Sequence, residues 1–234
     1  MPASLLALAV TLALAGCQGA PLAAPGAPPA RASQQTADPR FTAVADGWLD
    51  GWMRLNPVSA TQLGDHRFDD RIDDLSADGR ARLVDFSRKT LASLDAIDTM
   101  ALSRENQVDA LILRNQLESD IWNLETFQGW AWDPQVYSGL AGGAIYNLMA
   151  REFAPMPQRL KSATARMERI PTLFAQMRAN LDPARVPKIH AETVAKQNAG
   201  VLQLIEQFIV PNADQLSGAD RARLDAGVAG LRKA

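Results

Sequence analysis

The feature that most constrains the fold is an apolar seam in the third quarter of the chain. Its members follow one another in steps of three and four residues without a break: Leu160, Ala163, Met167, Ile170, Phe174, Met177 and Leu181. This spacing places them on one face of an α-helix, and such a face is suited to packing against a neighbouring antiparallel helix. Pro171 interrupts the seam. Because proline lacks the N–H and clashes with the preceding turn, we predict a kink or two abutting helices there.

The same helical period recurs along most of the chain. Two serines, Ser76 and Ser103, precede periodic segments and are expected to cap helices, and Asp38 with Pro39 is expected to open the first helix. No run of alternating, β-branched residues occurs, so the fold class is predicted to be all-α: a multi-helix array of antiparallel helices. In the helix after Ser103, the residues expected to face inward are Val108, Leu111, Ile112, Leu117, Ile121 and Leu124.

The first residues form a targeting segment that is excluded from the fold. An uncharged apolar run covers residues 5–14, and it is too short to span a bilayer as a helix of about 20 residues. It ends in the letters LAGC, which resemble the lipobox of bacterial lipoproteins, with Cys17 as the lipid-bearing residue. We therefore predict a lipoprotein signal peptide at 1–17, a Pro/Ala-rich tether at 18–37 and a helical domain at 38–234 that is incomplete at its C-terminus.

Composition and the lipobox together indicate where the protein acts. Cys17 is the only cysteine, so it cannot form an internal disulfide. The expected partner is a membrane, through lipid on Cys17, on the periplasmic side of the cell envelope. Gln18 is not the Asp type of inner-membrane retention signal, so the outer membrane is expected in a two-membrane cell. Lys+Arg 24 against Asp+Glu 26 leaves a net charge of −2, which gives no electrostatic footprint for nucleic acid.

A polar connection, residues 64–76, separates two groups of predicted helices. It contains five aspartates, two arginines and one histidine, and its candidate functional residues are Asp65, His66, Arg67 and Asp70. Carboxylates in such number could bind calcium, but their spacing does not match an EF-hand loop, and arginines lie among them. Helix caps and local ion pairs are the favoured interpretation, with His66 fixing the connection through hydrogen bonds.

Three aromatic residues, Trp130, Trp132 and Tyr137, lie near a predicted loop that ends at Pro134. They could form the floor of a peptide-binding groove. Aromatic residues that flank a loop more often cover the core, and this second interpretation is favoured.

The sequence predicts no catalytic residue, no metal ligand and no cofactor in this chain. A catalytic zinc site needs about three protein ligands, commonly with two histidines in a His-Glu-x-x-His motif. The two histidines present, His66 and His190, are far apart in sequence. Glu192 could assist His190 as a general base, but residues two apart on a helix do not face each other. An ordinary polar helix start is therefore favoured for His190.

Several segments resemble one bacterial family. They are Pro57-Val58-Ser59-Ala60-Thr61, Gly64-Asp65-His66-Arg67, Asp70, Asp74-Leu75-Ser76, Leu94-Asp95-Ala96-Ile97-Asp98, Trp132-Asp133-Pro134, Ala150-Arg151-Glu152-Phe153 and Arg178-Ala179-Asn180-Leu181. They resemble, in the same order, segments of the family called domain of unknown function 885. The resemblance implies longer, largely helical, often lipid-anchored or exported proteins similar to gluzincin-type zinc peptidases, with a His-Glu…His motif in the C-terminal half.

The resemblance leaves two hypotheses for this chain. None of the zinc ligands has a counterpart here, so zinc and a peptide substrate are expected only for a full-length relative. The first hypothesis is the N-terminal helical part of a lipid-anchored, peptidase-like envelope protein, one wall of a substrate cleft whose catalytic half is absent from this chain. The second is a complete, non-enzymatic helical envelope lipoprotein that binds a partner or ligand.

Overall fold

A computed structural model describes residues 30–233, and this part of the chain consists of helices and turns without a strand. The all-α prediction is therefore confirmed. The α-helices are α1 (Ala30–Leu55), α2 (Pro57–Leu63), α3 (Ala77–Asp95), α4 (Arg104–Trp122), α5 (Gln135–Met149), α6 (Met156–Met167), α7 (Ile170–Asn180), α8 (Lys188–Leu204) and α9 (Gly218–Leu231).

Short irregular helices extend or join these elements. Single 3₁₀ turns occur at His66–Phe68, Thr99–Ala101, Gly129–Ala131 and Val210–Gln215, and π-helical turns follow α4 at Asn123–Phe127 and α8 at Ile205–Ile209. The π-turns were not predicted, because each lies at the end of its helix, where no further α-helical turns show the phase shift that an extra residue causes. Such turns occur frequently at functional sites.

The two serine caps are confirmed. Ser76 Oγ accepts a hydrogen bond from the Gly79 N–H at 3.1 Å, and Ser103 Oγ accepts one from the Asn106 N–H at 3.4 Å. Each satisfies one of the backbone donors that the first helical turn leaves without a partner.

The predicted start of the first helix at Asp38 is wrong. Helix α1 begins at Ala30, and Pro39 lies inside it, so the helix overlaps the end of the predicted tether. Alanine, glutamine and arginine dominate residues 30–37 and are good helix formers, which explains the extension. Asp38 does not cap α1. Its carboxylate accepts the Ser103 N–H at 2.9 Å, and hydrogen bonds from Asn106 and Ser103 lower its pKa.

The buried side chains form two hydrophobic cores. The first core lies between α1, α3 and α4 and comprises Ala37, Phe41, Leu94, Ile97, Leu102, Ala110, Leu113 and Leu117. The second lies among α5 to α9 and includes Tyr137, Ile145, Leu148, Leu160, Met167, Ile170, Leu173, Ile205, Ile209, Leu224 and Leu231. Helix α2 packs on both α1 and α5, so it joins the two cores.

The apolar seam belongs to the second core. Its first four members are fully buried, and Phe174, Met177 and Leu181 pack against them. Helix α6 ends at Met167 and α7 begins at Ile170, with Pro171 in the first turn of α7. The prediction of two abutting helices at this proline is therefore confirmed.

The predicted inward face of α4 is wrong for Val108, Leu111 and Ile112 and correct for Leu117, which is fully buried. Val108 is 40% exposed, Leu111 63% and Ile112 62%, whereas Ala110 and its neighbours on the opposite face are buried. Apolar residues occur nearly all round this helix, so the sequence pattern does not distinguish the two faces. Packing against α3 selects the face that carries Ala110, Leu113 and Leu117.

No helix between residues 30 and 233 is long and apolar enough to cross a bilayer. The predicted signal peptide at 1–17 and the lipidation site Cys17 lie outside the residues that the structure describes.

Candidate functional site

The polar connection begins where α2 ends. Gly64 has a φ of 96°, the left-handed conformation that glycine adopts without strain. Asp65 then accepts the Arg67 N–H at 3.1 Å and caps the 3₁₀ turn. The Arg67 guanidinium also pairs with the carboxylates of Asp65 and of Asp50 in α1. Its bonds lower the pKa of Asp65, and bonds from Arg54 and then Arg67 lower the pKa of Asp50. This end of the connection is thus attached to α1.

His66 holds the connection through one ring nitrogen and one stacked ring face. Its Nδ1 lies 3.0 Å from Asp69 Oδ2, and its ring stacks on Phe153 with centroids 3.5 Å apart. Asp69 is buried and also accepts a 2.6 Å hydrogen bond from the Thr61 hydroxyl. Asp70 stands apart, exposed and 3.8 Å from the Arg71 guanidinium. The structure therefore brings three of the four candidate residues together in caps and ion pairs.

Arg166 in α6 is the fully buried charge around which the connection folds. Its guanidinium donates hydrogen bonds to the Arg71 carbonyl at 2.8 Å, to the Ala144 and Pro57 carbonyls at 3.0 Å, and to the Thr61 hydroxyl at 2.6 Å. Burial lowers the pKa of Arg166 to about 10, so it stays charged near neutrality. We name Arg166 with Asp69 and Asp73 the arginine centre.

Sequence reasoning missed Arg166 because its partners are distant in the chain. The guanidinium reaches α2, the polar connection and α5, with sequence separations up to 109 residues. One signal was present: the arginine directly precedes Met167 of the apolar seam, where a solvent-facing charge is not expected. A charged residue beside a buried seam indicates an internal partner for that charge.

Asp73 supplies the side-chain cap at the start of α2. The Asn56 side chain makes no capping bond, whereas Asp73 Oδ2 accepts the Val58 N–H at the start of α2 at 3.1 Å. Burial raises the pKa of Asp73 to about 6, although the Val58 N–H and the Arg166 charge act in the opposite direction. The arginine centre thus contains a carboxyl group that titrates close to neutral pH.

Lowering the pH from about 7 to about 4 is expected to stabilise the wild type relative to Asp73→Asn. The folded state holds the Asp73 proton with a pKa of about 6, above the ordinary 3.8, so between these values the folded state binds more protons than the unfolded one. Burying the charged Asp73 therefore lowers the free energy of unfolding of the wild type above about pH 6 and no longer does so below about pH 4. The expected change relative to the variant is roughly 1–3 kcal/mol. Urea unfolding of both proteins across this range measures it, and asparagine keeps an acceptor for Val58. Parallel stability curves would contradict the assignment.

A second cluster, the aromatic ledge, comprises Trp122, Phe127, Trp132 and His190. Trp122 stacks on Phe127 with centroids 5.4 Å apart, and Phe127 meets Trp132 edge to face at 5.1 Å. Trp132 lies 5.6 Å from the His190 ring. Trp122 is 52% exposed and Phe127 44% exposed, so the ledge presents aromatic surface to solvent. The π-turn after α4 and the left-handed Gln128, with φ 53°, shape its backbone.

The three aromatic residues predicted from the sequence do not line one groove. Tyr137 is fully buried, and its hydroxyl donates to the Trp130 carbonyl at 2.6 Å while accepting from Asn180 at 3.0 Å. The Arg80 guanidinium lies 3.6 Å from the Trp130 ring centroid. Trp130 and Tyr137 therefore cover the core, as the favoured interpretation has it, and Trp132 alone belongs to the ledge.

His190 pairs with Asp133 and not with Glu192. Its Nδ1 lies 3.0 Å from Asp133 Oδ1, which joins the start of α8 to the turn before α5. A carboxylate that holds one imidazole nitrogen fixes the ring and leaves the other nitrogen available for proton exchange or hydrogen bonding. Sequence reasoning missed this pair, because its members are 57 residues apart.

The donor groups of residues 30–233 do not fit the zinc site of a peptidase. His66 and His190 are each bonded to a different aspartate, and these residues contain no group of three or more His, Cys, Asp or Glu side chains arranged to hold a metal ion. The predicted absence of zinc from this chain stays a prediction for metal analysis.

The fold and these contacts define an all-helical domain with two cores and a buried arginine that bonds α2, the polar connection and α5. A family model matches residues 57–234, so the chain belongs to the family described as bacterial proteins of unknown function, DUF885. This confirms the family predicted from the sequence segments. A search among curated proteins finds no significant match.

One similar solved structure comes from Shewanella oneidensis and is titled "a putative lipoprotein of unknown function". The two chains are 27% identical, with a TM-score of 0.77 over 82% of this chain. The match covers 35% of the Shewanella chain, so the present chain spans about a third of that protein's length.

Proposed function

We propose that this chain is the N-terminal helical part of a lipid-anchored protein of the bacterial cell envelope that resembles zinc metallopeptidases. In this proposal, residues 38–234 form one wall of a peptide-binding cleft, and further sequence supplies the zinc ligands. The proposal rests on the comparison with the Shewanella protein. Most of the present chain aligns with it, but the match covers only 35% of the Shewanella chain. The word lipoprotein in its title and the LAGC letters before residue 18 support the anchor.

A lipid anchor predicts a clear change in fractionation. The wild-type protein is expected to partition with membranes and Cys17→Ser to appear in the soluble fraction or to remain unprocessed, since only the thiol of Cys17 can take the lipid. Fractionation with metabolic labelling by a radioactive fatty acid measures both results, and separation of inner from outer membranes tests the outer-membrane assignment. Equal fatty-acid labelling of the two proteins, or equal membrane association of two processed forms, would contradict the anchor.

The 234-residue chain by itself is expected to bind no stoichiometric zinc and to cleave no peptides. Its two histidines are engaged by Asp69 and Asp133, and a catalytic zinc needs about three protein ligands. Metal analysis after dialysis against zinc, and a peptide library incubated with and without a chelator, measure these properties. Chelator-sensitive hydrolysis by this chain would refute the prediction.

The DNA downstream of codon 234 tests the proposal as a whole. A continuation, in frame or restored by one frameshift, that encodes His-Glu-x-x-His supports it, and the longer product is expected to bind zinc and to hydrolyse peptides. A stop codon at the same place in many independent isolates supports the alternative.

The alternative function is that of a complete, non-enzymatic envelope lipoprotein, and the aromatic ledge favours it. Two exposed aromatic side chains, joined through Trp132 to a histidine held by Asp133, offer stacking surface and an imidazole nitrogen without a partner among residues 30–233 to a ligand. Trp132→Ala with His190→Ala would then abolish ligand binding by the chain without any downstream sequence.

A further inference from the structure

A pocket opens in the second core between α7, α8 and α9. Its volume is about 250 Å³, and its lining consists of Phe174, Met177, Arg178, Val201, Leu202, Leu231 and Arg232. Val201 and Leu231 are buried members of the second core. Phe174 and Met177 pack against the same core. The inner surface is therefore apolar, and the volume lies slightly below the about 300 Å³ at which pockets for drug-sized ligands begin.

The polar side chains of this pocket can only donate hydrogen bonds. Among its seven lining residues, Arg178 and Arg232 alone have polar side chains, and a guanidinium carries N–H donors but no acceptor. A ligand that matches the lining has acceptors as its only polar atoms, and its remaining atoms are apolar. A carboxylate at the end of an aliphatic chain has this chemistry, and arginine pairs with carboxylates through two parallel hydrogen bonds. A peptide matches less well, because its backbone N–H groups find no side-chain acceptor in the lining.

The charges on the three helices favour an anion. The acids of α7, α8 and α9, and of the π-turn that extends α8, are all paired with cations: Glu192 with Lys188, Glu206 with Arg232, Asp220 with Lys161 and Asp225 with Arg221. Arg178, in the last turn of α7, makes no ion pair with residues 30–233, and Lys196 of α8 is a second cation without such a pair. Since Glu206 already holds Arg232, Arg178 supplies the uncompensated charge at the pocket.

We propose that the pocket between α7, α8 and α9 binds a fatty acid of medium chain length. The aliphatic chain lies against Phe174, Val201 and Leu231, and the carboxylate pairs with Arg178. Each further CH₂ group that enters the pocket is expected to raise the affinity about fourfold, the equivalent of about 0.8 kcal/mol. The inference goes beyond the proposed function and does not depend on it, because all the lining residues belong to this chain.

The test follows the methyl group of Met177 by NMR in the full chain with Cys17→Ser and isotope-labelled methionine methyl groups. Met177→Leu identifies its signal. Octanoate is expected to shift this signal saturably. Octylammonium, which has the same tail and the opposite charge, is expected to bind at least tenfold more weakly because its head group faces Arg178. Hexanoate, shorter by two CH₂ groups, is expected to bind roughly 15-fold more weakly than octanoate.

Arg178→Gln is expected to weaken octanoate binding at least fivefold and to leave octylammonium binding unchanged or stronger. Arg178 is exposed, so the variant is expected to fold, and circular dichroism checks this. A role of Arg178 confined to the end of α7 would change stability without changing the preference between the two head groups. Arg104→Gln is the matched control, because Arg104 is an exposed arginine at the first residue of α4 and does not line the pocket. It is expected to bind octanoate as the unaltered chain does.

Three results would each overturn the inference: an unshifted Met177 signal, equal affinity for octanoate and octylammonium, or octanoate binding that Arg178→Gln leaves unchanged. A peptide with a free C-terminal leucine serves as competitor. If it displaced octanoate at lower concentration than octanoate itself requires, the pocket would be a site for a peptide terminus and the fatty-acid assignment would be wrong.

Discussion

Arg166→Met is expected to lower the free energy of unfolding by about 3–5 kcal/mol, since each buried acceptor that loses its donor costs about 1–3 kcal/mol. The guanidinium satisfies carbonyls of Pro57, Arg71 and Ala144, and methionine leaves all of them without this donor. The carboxylates of the arginine centre also lose their nearby buried cation. Chemical denaturation followed by circular dichroism measures the change.

Two further variants separate the contributions at this position. Arg166→Lys keeps the charge but cannot reach several acceptors with one ammonium group, so it is expected to remain strongly destabilised. Arg169→Met is the matched control three residues on, because Arg169 is exposed and its guanidinium donates one hydrogen bond, to the Asp70 carbonyl. Its expected change is below about 1 kcal/mol. Equal losses of unfolding free energy for Arg166→Met and Arg169→Met would show that the buried hydrogen bonds of Arg166 stabilise the fold no more than the single bond of Arg169.

Gly79→Ala is expected to destabilise the protein by about 3 kcal/mol, the upper range for overpacking. Gly79 lies in the first turn of α3, and a Cβ there would approach the Asp74 carbonyl oxygen to 2.0 Å and its carbon to 2.8 Å. These are backbone atoms of the polar connection, so relief requires the connection to move away from α3. Thermal unfolding monitored by circular dichroism measures the loss.

Gly142→Ala in α5 is the control for this substitution. A Cβ at Gly142 meets nothing within 4 Å, so alanine is expected to raise stability by up to about 1 kcal/mol through its helix propensity. If both alanine variants unfolded at the same temperature, the close approach at Gly79 would not be the cause of any loss.

Local sequence patterns predicted the helices and their caps. They did not predict the features that depend on which elements pack against each other. The caps at Ser76 and Ser103 and the break at Pro171 depend on neighbours within four residues, so the sequence contains them. The orientation of α4 depends on which of two apolar faces meets α3. The bonds of Arg166 and the pair of His190 with Asp133 join residues far apart in the chain, and no periodicity reports such contacts.

The division of the domain into two cores bears on how the protein is made. The buried residues of the first core lie between Ala37 and Leu117, and those of the second lie between Tyr137 and Leu231. Since chains emerge from the ribosome or the secretion channel N-terminus first and domains generally fold as units, the first core has all its residues before the second begins to appear. Arg166 emerges later than the polar connection. Until it does, the carbonyls and carboxylates of the connection that lie around Arg166 in the folded domain remain hydrated.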